Sequence, residues 1–552
     1  MRTNRLNLFL SLSAAALVAV SCTDLEVTET DSVITPADAN GSTFVGVADV
    51  DGALNAGYGT INGLYTDQAG YYALQEVTAD SYLIPTRGSD WGDNGLWRQL
   101  HQHEWNATQA FVGGVWGSVN GLQLIMSEVI DPQSNASSTQ KAQAHFIRAW
   151  SMLTILDLFG QVPVRDVTLA LASFPEVLTG ADAVAFIAGD LDAAISGLPA
   201  ASDFASREKA TKEAAQFLKA RLMLNKHIYT NAGAADASDM AAVISLVDAI
   251  GGSHSLQAGY FDLFRDTADS ETIWWVGASV GNNIWNGMHY NQAPEMAGGG
   301  WNGFSTLAEY YDLFEGDAFS NNLDEMGMAA DGQEERRGGV PQAGSLIGDV
   351  PGGSDGNGDG YADGSNIGNG FLIGQQYDYD GTPLQQRQGR PLNFTRGFGQ
   401  FSNLDANGNN TSPELINNPE ETGIRVIKYS PVYGAFTPHK IAFRYADAHL
   451  MKAEALHRSG NSGQALTLVN ELRAIRGAQA LGSISDQDLL DERARELYGE
   501  FVRRTDMIRF GQYTRGWELK ASASVGDTKW NKFPIPLAQL ALNPNLTQNP
   551  GY

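Results

Sequence analysis

The side chains in this sequence best suited to chemistry are the tryptophans of a polar, glycine-broken stretch. Residues 87–105 read RGSDWGDNGLWRQLHQHEW, which places Trp91, Trp97 and Trp105 among carboxylates, amides and two histidines. An indole face can stack on the apolar C–H face of a sugar ring, while amides and carboxylates bond the hydroxyls. The same rings could instead anchor a packed loop. We expect Trp97 and Trp105, which flank a predicted turn, to be packed.

Trp91 is the ring of this stretch that we predict to be exposed for stacking. It lies beside a carboxylate and an amide in Trp91-Gly92-Asp93-Asn94, so Asp93 and Asn94 are candidate hydrogen-bonding partners of a ligand. Arg87 is a candidate cation for the same purpose. A second candidate platform is Trp301, which follows three glycines in GGGWNGF. Together these residues predict a binding site that combines stacking with hydrogen bonds.

A second constellation, GGSDGNGDGYADGSN at residues 352–366, matches part of a calcium-binding loop. Alternating oxygen ligands around a sharp glycine turn let one short loop wrap a hard cation. The candidate ligands of Ca²⁺ are Asp355, Asn357, Asp359, Tyr361 and Asp363. Asn366 stands where the pattern has a bidentate glutamate, and no flanking helices are evident. A calcium site and a solvated acidic linker therefore both stay open.

Catalysis is a rival class of function. Asp and Glu supply 63 of 552 residues, so the carboxylate pair of a glycoside hydrolase can be imagined almost anywhere. The acids between Asp491 and Glu500 share a predicted helix with four arginines, which favours structural ion pairs. His101 and His103 are two residues apart and could form a metal-binding pair. Loop histidines that hydrogen-bond within the protein are the simpler interpretation. We therefore expect a protein that is not an enzyme, with the hydrolase as an alternative.

The elements that must position these side chains are predicted to be paired helices. In residues 138–160, apolar residues recur at intervals of three to four and a glycine ends the pattern, as expected for a helix with one buried face. Residues 441–458 and 462–476 form two helices joined at Gly460-Asn461, a spacing that resembles a tetratricopeptide unit. Further amphipathic helices are predicted at residues 46–66, 181–198, 209–229, 237–250 and 486–511.

The middle of the chain, residues 255–435, has strand-like runs among glycine-rich polar loops. The predicted fold is therefore mainly α, a tetratricopeptide-like scaffold of helical pairs with an irregular ligand-binding insertion rich in loops and short strands. The predicted organisation is a signal peptide at 1–21, a lipidated tether at 22–45, an N-terminal helical region at 46–254 that includes the 87–105 loop, a ligand-binding insertion at 255–435, and C-terminal helices with a tail at 436–552.

The first residues are typical of a secretory signal. Arg2 and Arg5 precede the apolar run LNLFLSLSAAALVAV, which is followed by the only cysteine, Cys22. Ala19-Val20-Ser21-Cys22 resembles a bacterial lipobox, although leucine is usual at its first position. We predict cleavage before Cys22 and lipidation of its thiol, which would anchor the protein to a membrane. A soluble periplasmic protein with a free thiol is the alternative.

Composition narrows the classes of partner. The formal net charge of −27 argues against nucleic acid, which requires a basic footprint. It also disfavours acidic polysaccharides, although a local basic pocket could overrule the average charge.

Four segments in chain order resemble the SusD/RagB family of outer-membrane lipoproteins. HFIRAWSMLTILDLFGQVPV and FRYADAHLMKAEALHRSG resemble two of its helices, and DERARELYGEFVRRTDMIRFGQY resembles its arginine-rich helix. The ending FPIPLAQLALNPNLTQNPGY resembles the family ending almost residue for residue. The resemblance implies a surface-exposed outer-membrane lipoprotein that binds glycan and delivers it to a SusC-like TonB-dependent transporter.

The resemblance also bears on the site. Trp91 with Asn94, and the glycine-flanked Trp301, resemble the stacking residues of the starch-binding branch, and Trp285 falls where that branch has another aromatic ring. The ligand that this implies is a neutral oligosaccharide or polysaccharide, with α-glucan such as starch favoured over β-glucan. A tetratricopeptide scaffold for peptides is a third class of function, but it leaves the tryptophan-rich loops unexplained.

Overall fold

The structure describes most of the chain after residue 43. The structure, a computed structural model, describes residues 44–170, 172–264, 267–279, 286–292, 299–323, 332–340, 367–378, 382–398, 415–429 and 438–552. Residues 45–167 and 174–552 belong to one compact unit, to which everything below refers, and a small second unit comprises the N-terminal segment with 168–173. The predicted signal peptide, the tether as far as residue 43, and Cys22 lie outside the described residues.

Helices dominate the first half of the chain. Their bounds are α1 Val50–Thr66, α2 Leu96–Gln102, α3 Ala110–Ile130, α4 Ser138–Phe159, α5 Gly180–Gly197, α6 Lys212–Tyr229 and α7 Ala237–Ile250. Helix α4 shows why the bounds of these helices could be predicted from the sequence. Ser137 and Gln140 form a capping box at its start, and Gly160 ends it with φ of 73°. The apolar stripe predicted for this helix, including Phe146 and Trp150, is buried.

The remaining helices complete the set of pairs. Their bounds are α8 Ala308–Tyr311, α9 Tyr445–Arg458, α10 Ser462–Ile475, α11 Asp486–Leu497, α12 Arg503–Arg509 and α13 Leu537–Leu542. Helix α3 packs on α4, α4 on α5, α6 on α7, and α9 on α10. The predicted fold class, a mainly α scaffold of helical pairs, is confirmed. No helix of the described part of the chain has the length and apolarity needed to cross a bilayer.

The prediction of one helix over residues 486–511 is wrong, because the chain turns between α11 and α12. Gly499 and Phe501 both have positive φ, 71° and 64°, which breaks the helical hydrogen-bond ladder. The turn drives the Phe501 ring into the core, where it lies 4.6 Å from the ring centroid of Tyr65 and 5.3 Å from that of Tyr71. Burial of this aromatic ring compensates for the interrupted helix.

Strands are short and concentrate in the predicted insertion. Their bounds are β1 Gln161–Val164, β2 Glu176–Thr179, β3 Thr272–Ser279, β4 Gly338–Gly339, β5 Asn369–Leu372, β6 Gly374–Gln375, β7 Asn393–Phe394, β8 Arg425–Ile427 and β9 Pro438–Arg444. The pairings are antiparallel: β1 with β2, β3 with β9, β5 with both β4 and β8, and β6 with β7. The segments between these strands form the loops that carry the candidate site.

A buried ion-pair network connects the insertion to α11. The carboxylate of Glu496 is fully buried and lies 3.1 Å from Arg336, 2.7 Å from Arg444 and 2.9 Å from Arg476. Arg336 also pairs at 2.7 Å with Glu492, one turn earlier on the helix. These contacts give the acids of α11 the structural role expected from the sequence.

Candidate functional site

The structure brings Trp91 and Trp301 together, although 210 residues separate them. Arg87 and Asp90 close a tight loop by exchanging backbone hydrogen bonds of 3.0 Å. In this loop Trp91 adopts φ of 58°, and its indole Nε1–H donates to the carbonyl oxygen of Trp301 at 2.8 Å. The ring lies directly over Gly303, where an added Cβ would be 2.3 Å from the indole. Only glycine therefore permits this arrangement.

The two rings differ in how much face they offer to solvent. Trp301 is 41% exposed, whereas Trp91 is partly buried, with Trp97 and Phe304 set edge-on at ring centroid distances of 5.4 and 5.7 Å. Trp301 is thus the open stacking surface. The expectation that Trp91 is exposed for stacking is corrected, because its ring packs against Trp97 and Phe304 and bonds the Trp301 backbone. Trp97 and Trp105 are each only 2% exposed, which confirms the expectation that they pack inside the protein.

Asn302, the residue after Trp301, holds this segment to its surroundings. It is fully buried and has φ of 51°, a left-handed conformation that asparagine tolerates. Its carbonyl accepts from Arg87 Nε at 2.9 Å, and its side-chain Oδ1 accepts from Arg425 Nη2 at 2.8 Å. Its Nδ2 donates to the Glu420 carbonyl at 3.1 Å. The backbone beneath the Trp301 ring is therefore fixed on three sides.

Arg87 does not occupy the position expected of a ligand-binding cation. Its side chain is 2% exposed, and its donors are directed at protein oxygens. Besides Asn302, they reach Asn418 Oδ1 at 2.5 Å and the carbonyl oxygen of Thr422 at 2.8 Å. We therefore correct the expected role of Arg87 from direct ligand contact to organisation of the loops around the site.

The other predicted site residues fall into two groups. Asp93 accepts a hydrogen bond from the Trp97 indole N–H at 2.7 Å, so its carboxylate supports the loop. Asn94 is exposed, next to Trp91, with φ of 52°. Trp285 and the candidate calcium residues Asp355, Asn357, Asp359, Tyr361 and Asp363 lie outside the described residues. For these residues the assignments stay predictions.

His101 and His103 are buried and hydrogen-bonded to backbone. The ring nitrogens of His101 lie 3.0 Å from the Tyr82 carbonyl oxygen and 2.8 Å from that of Glu518, and the neutral ring donates to one of the two; His103 Nε2 lies 2.7 Å from the carbonyl oxygen of Thr78. Burial lowers the pKa of both imidazoles below the ordinary value. These contacts match the interpretation as loop histidines. The described residues contain no group of three metal-ligating side chains.

A polar pocket shares Arg87 with the tryptophan loop. Its volume is about 680 Å³. Besides Arg87, the lining is Gly88, Gln386, Arg387, Gln388, Arg390, Asn417, Asn418, Pro419, Glu420 and Glu421. One wall is the turn from Gln386 to Arg390, in which Gly389 has φ of 86°; the other is the 417–421 loop. Sequence reasoning missed this pocket, because its walls come from three separate segments.

Arg387 joins the pocket to the tryptophan loop. Its guanidinium carbon lies 3.9 Å from the ring centroid of Tyr290, and the Tyr290 hydroxyl donates to Asp90 at 2.5 Å. Arg387 Nε donates to Glu420 at 2.6 Å, and His289 bonds the same carboxylate at 3.1 Å. Desolvation opposes ionisation of Glu420, but these hydrogen bonds outweigh it and lower its pKa to about 2. Glu420 is therefore an anion at neutral pH.

Solved structures share this fold. A surface glycan-binding protein A from Bacteroides uniformis matches with a TM-score of 0.61 at 18% identity, over 91% of this chain and 98% of that one. A SusD-like protein from Bacteroides fragilis matches with a TM-score of 0.64 at 19% identity, over 91% and 96%. A glycan-binding protein A from Bacteroides thetaiotaomicron, in complex with laminarihexaose, gives 0.59 at 15% identity, over 91% and 98%. Together these matches define the fold class as that of SusD-like helical proteins.

Sequence comparison finds SusD-family similarity in part of the chain. The model of the SusD family matches residues 402–552. The starch-binding protein SusD of Bacteroides thetaiotaomicron is 40% identical over 117 residues, 20% of this chain and 21% of its own length. A SusD-like protein of Formosa agariphila is 31% identical over 149 residues, 24% and 29%. The chain thus spans between a fifth and a third of these curated relatives. Residues 402–552 are thus similar in sequence to the SusD family.

Proposed function

We propose that this protein is a non-catalytic glycan-binding lipoprotein of the bacterial outer membrane. It would capture a neutral oligosaccharide or polysaccharide at the cell surface, with α-glucan favoured, and pass it to a SusC-like TonB-dependent transporter. Similarity to the SusD family and the glycan-binding names of the relatives support this proposal. The sequence resemblance supports the lipid anchor at Cys22 and the transporter, and the spacing of oxygen ligands in residues 352–366 supports the candidate calcium loop.

The observation that carries the proposal is the open indole of Trp301 on a rigid support. A tryptophan that is 41% exposed leaves apolar surface in water unless a partner covers it. Here the backbone that carries the ring is fixed, because Trp91 donates to the Trp301 carbonyl and Arg87 donates to the Asn302 carbonyl. Less conformational entropy is then lost when a sugar stacks on the ring, since the backbone is already ordered. Asn94, three residues after Trp91 in the sequence, is exposed and available to bond hydroxyls.

The choice between α-glucan and β-glucan is left to experiment. The sugars named among the relatives differ, since one curated relative is a starch-binding protein and one structural relative holds laminarihexaose. Isothermal titration with maltoheptaose and with laminarihexaose measures both affinities under the same conditions. The preferred ligand of these two is then used for the variants.

Trp301→Ala is the decisive variant. Loss of one stacking contact is worth about 1 kcal/mol, which corresponds to roughly fivefold weaker binding. Phe174→Ala is the matched control, because this ring is 56% exposed and lies outside the tryptophan loop and the pocket. Both variants should retain the wild-type unfolding temperature, since each removes a solvent-exposed ring.

Three outcomes would contradict the proposal. Equal affinity of wild type and Trp301→Ala would remove the stacking site. Release of reducing ends from the bound oligosaccharide by the purified protein would favour the hydrolase instead. Specific capture of peptides without any glycan binding would favour a peptide scaffold.

A further inference from the structure

The pocket beside the tryptophan loop contains positive charge that the described protein groups do not neutralise. Arg87 and Arg425 are 2% and 0% exposed. In the described part of the chain, neither forms an ion pair, and both donate to carbonyl, hydroxyl and amide oxygens. Buried charges in proteins are ordinarily paired, because desolvation of an isolated ion is costly.

The two guanidinium groups are also close to each other. Arg87 Nη2 and Arg425 Nη1 both donate to Ser305 Oγ, at 3.2 and 2.7 Å, and both donate to the Thr422 carbonyl, at 2.8 and 2.5 Å. Burial lowers the pKa of Arg425 well below its usual value, and the charge of Arg87 lowers it further. Two like charges held side by side make this region electropositive.

The pocket itself extends this charge to solvent. Arg387 and Arg390 project from one short turn, and their side chains are 50% and 53% exposed. Arg387 already contacts Glu420 at 2.6 Å and, more distantly, Asp90 at 3.9 Å, and Arg390 contacts Glu421 at 2.5 Å. A guanidinium has five N–H donors, so both arginines keep donors for a ligand. The lining thus carries three guanidiniums, including Arg87, against two carboxylates.

Gln386 provides an independent indication of a ligand. Its side chain is 2% exposed and lines the pocket. Its Oε1 accepts from the backbone N–H of Gln388 at 2.5 Å, which fixes the amide orientation. Its Nε2 has no hydrogen-bond partner among the described residues. A buried donor without an acceptor is costly, and an oxygen ligand in the pocket would satisfy it.

We propose that this pocket is an anion subsite that binds the carboxylate or sulfate substituent of an acidic glycan. Arg387 and Arg390 would donate charge-assisted hydrogen bonds to the anionic oxygens, and Gln386 Nε2 would donate a further bond. The buried pair Arg87 and Arg425 would stabilise the charge from behind. The inference rests on the proposed function, since the sugar ring would still stack on Trp301. It adds a ligand class that the overall charge of −27 disfavours.

Titration with a matched pair of ligands tests this subsite. Maltoheptaose is compared with maltoheptaose whose primary hydroxyls are partly oxidised to carboxylates, and laminarihexaose is compared with its oxidised form. We expect the wild-type protein to bind the oxidised form on the order of tenfold more tightly at low salt. The preference should shrink as NaCl rises from 50 to 500 mM, since the pocket is open to solvent.

The double variant Arg387→Gln, Arg390→Gln should lose the preference. The single variant Arg390→Gln, which leaves the contact between Arg387 and Tyr290 intact, should weaken the preference and keep its affinity for the neutral form. Gln386→Glu retains the acceptor for Gln388 but places a carboxylate oxygen where the unpaired donor was, so it should also lose the preference. Lys209→Gln, which removes an exposed cation outside the pocket, should keep the preference. Thermal unfolding checks that each variant is folded.

The outcomes separate this inference from the proposed function. Binding of the neutral form with no preference for the oxidised form, or a preference that survives in the double variant, would overturn the anion subsite alone. Binding of neither form would contradict the proposed function. If Lys209→Gln lost the preference for the oxidised form as fully as the pocket variants do, the preference would be due to overall charge. That result would also overturn the subsite.

Discussion

The substitution Gly303→Ala tests whether the packing beneath Trp91 builds the stacking site. An added Cβ would lie 2.3 Å from Cε2, 2.4 Å from Cζ2 and 2.8 Å from Nε1 of the Trp91 indole. Ordinary carbon contacts are about 3.5–4.0 Å, so the ring must retreat by roughly 1.2 Å or more. Gly303 has no positive φ, so backbone strain does not add to this steric effect.

The distance by which the Trp91 ring must move determines how much Gly303→Ala lowers both the stability and the affinity for glycan. The indole N–H bond to the Trp301 carbonyl, now 2.8 Å, would stretch to about 4 Å and be lost. A lost hydrogen bond costs about 1 kcal/mol, and overpacking costs about 1–3 kcal/mol. We therefore expect the free energy of unfolding to fall by about 2–4 kcal/mol. Displacement of Trp301 should also weaken glycan binding by roughly fivefold.

Urea unfolding and isothermal titration measure these two effects. Gly59→Ala is the matched control, because Gly59 is exposed in helix α1 and an added Cβ would meet nothing within 4 Å. That control should gain about 0.5–1 kcal/mol from helix propensity and bind glycan normally. Combining Gly303→Ala with Trp91→Leu should cost less than the sum of the two single changes, because the smaller side chain relieves the clash. Wild-type stability and affinity in Gly303→Ala would refute the reasoning.

Two further predictions concern buried charge. Glu496→Gln should lower the free energy of unfolding by about 3–5 kcal/mol, because it leaves three buried guanidiniums without their shared carboxylate. Lys219→Gln, which removes a partly buried cation from its pair with the exposed Asp192, should cost less than about 1 kcal/mol in the same urea titration. A loss below 1 kcal/mol in Glu496→Gln would contradict this. Burial, with the nearby charge of Glu309, raises the pKa of Glu518 to about 7 from 4.5. The folded state then binds this proton more tightly than the unfolded chain, so the stabilisation it gives is complete below pH 4.5 and is lost as pH rises to about 7. Glu518→Gln should therefore be more stable than wild type by on the order of 2 kcal/mol at pH 8 and nearly equal to it near pH 4; an equal difference at both pH values in urea unfolding would contradict the assignment.

Much of the scaffold was predictable because its signals are local. A capping serine, an apolar stripe and a terminal glycine lie within α4 and its two neighbours in sequence, so they fix its bounds. The break after α11 was missed because it depends on the core position of Phe501, which contacts Tyr65 and Tyr71 more than 400 residues earlier. A helical pattern contains no information about such a distant partner.

The candidate site was predictable only in part, for a related reason. Residue type correctly marked Trp97 and Trp105 as packed, and it placed Trp91 near the site. It could not show that Arg87 is buried, because the acceptors Asn418 and Thr422 lie more than 300 residues away. The role of Arg387 could not be predicted from the sequence either, because it depends on the contact of its guanidinium with the Tyr290 ring.

Rigidity links the scaffold to the proposed binding site. The insertion is tied to α11 through Arg336, whose guanidinium is fully buried between Glu492 and Glu496. A hydrophobic contact at that position would let the insertion shift along α11. A guanidinium between two carboxylates is directional and fixes one arrangement of the two. The segment that carries Trp301 is held in turn by backbone bonds of Ser305 with Leu83 and of Thr306 with Ile424, which fix it before a ligand arrives. Stacking energy then goes into affinity instead of into ordering the loop, which is how a site with a single open indole can bind a flexible glycan.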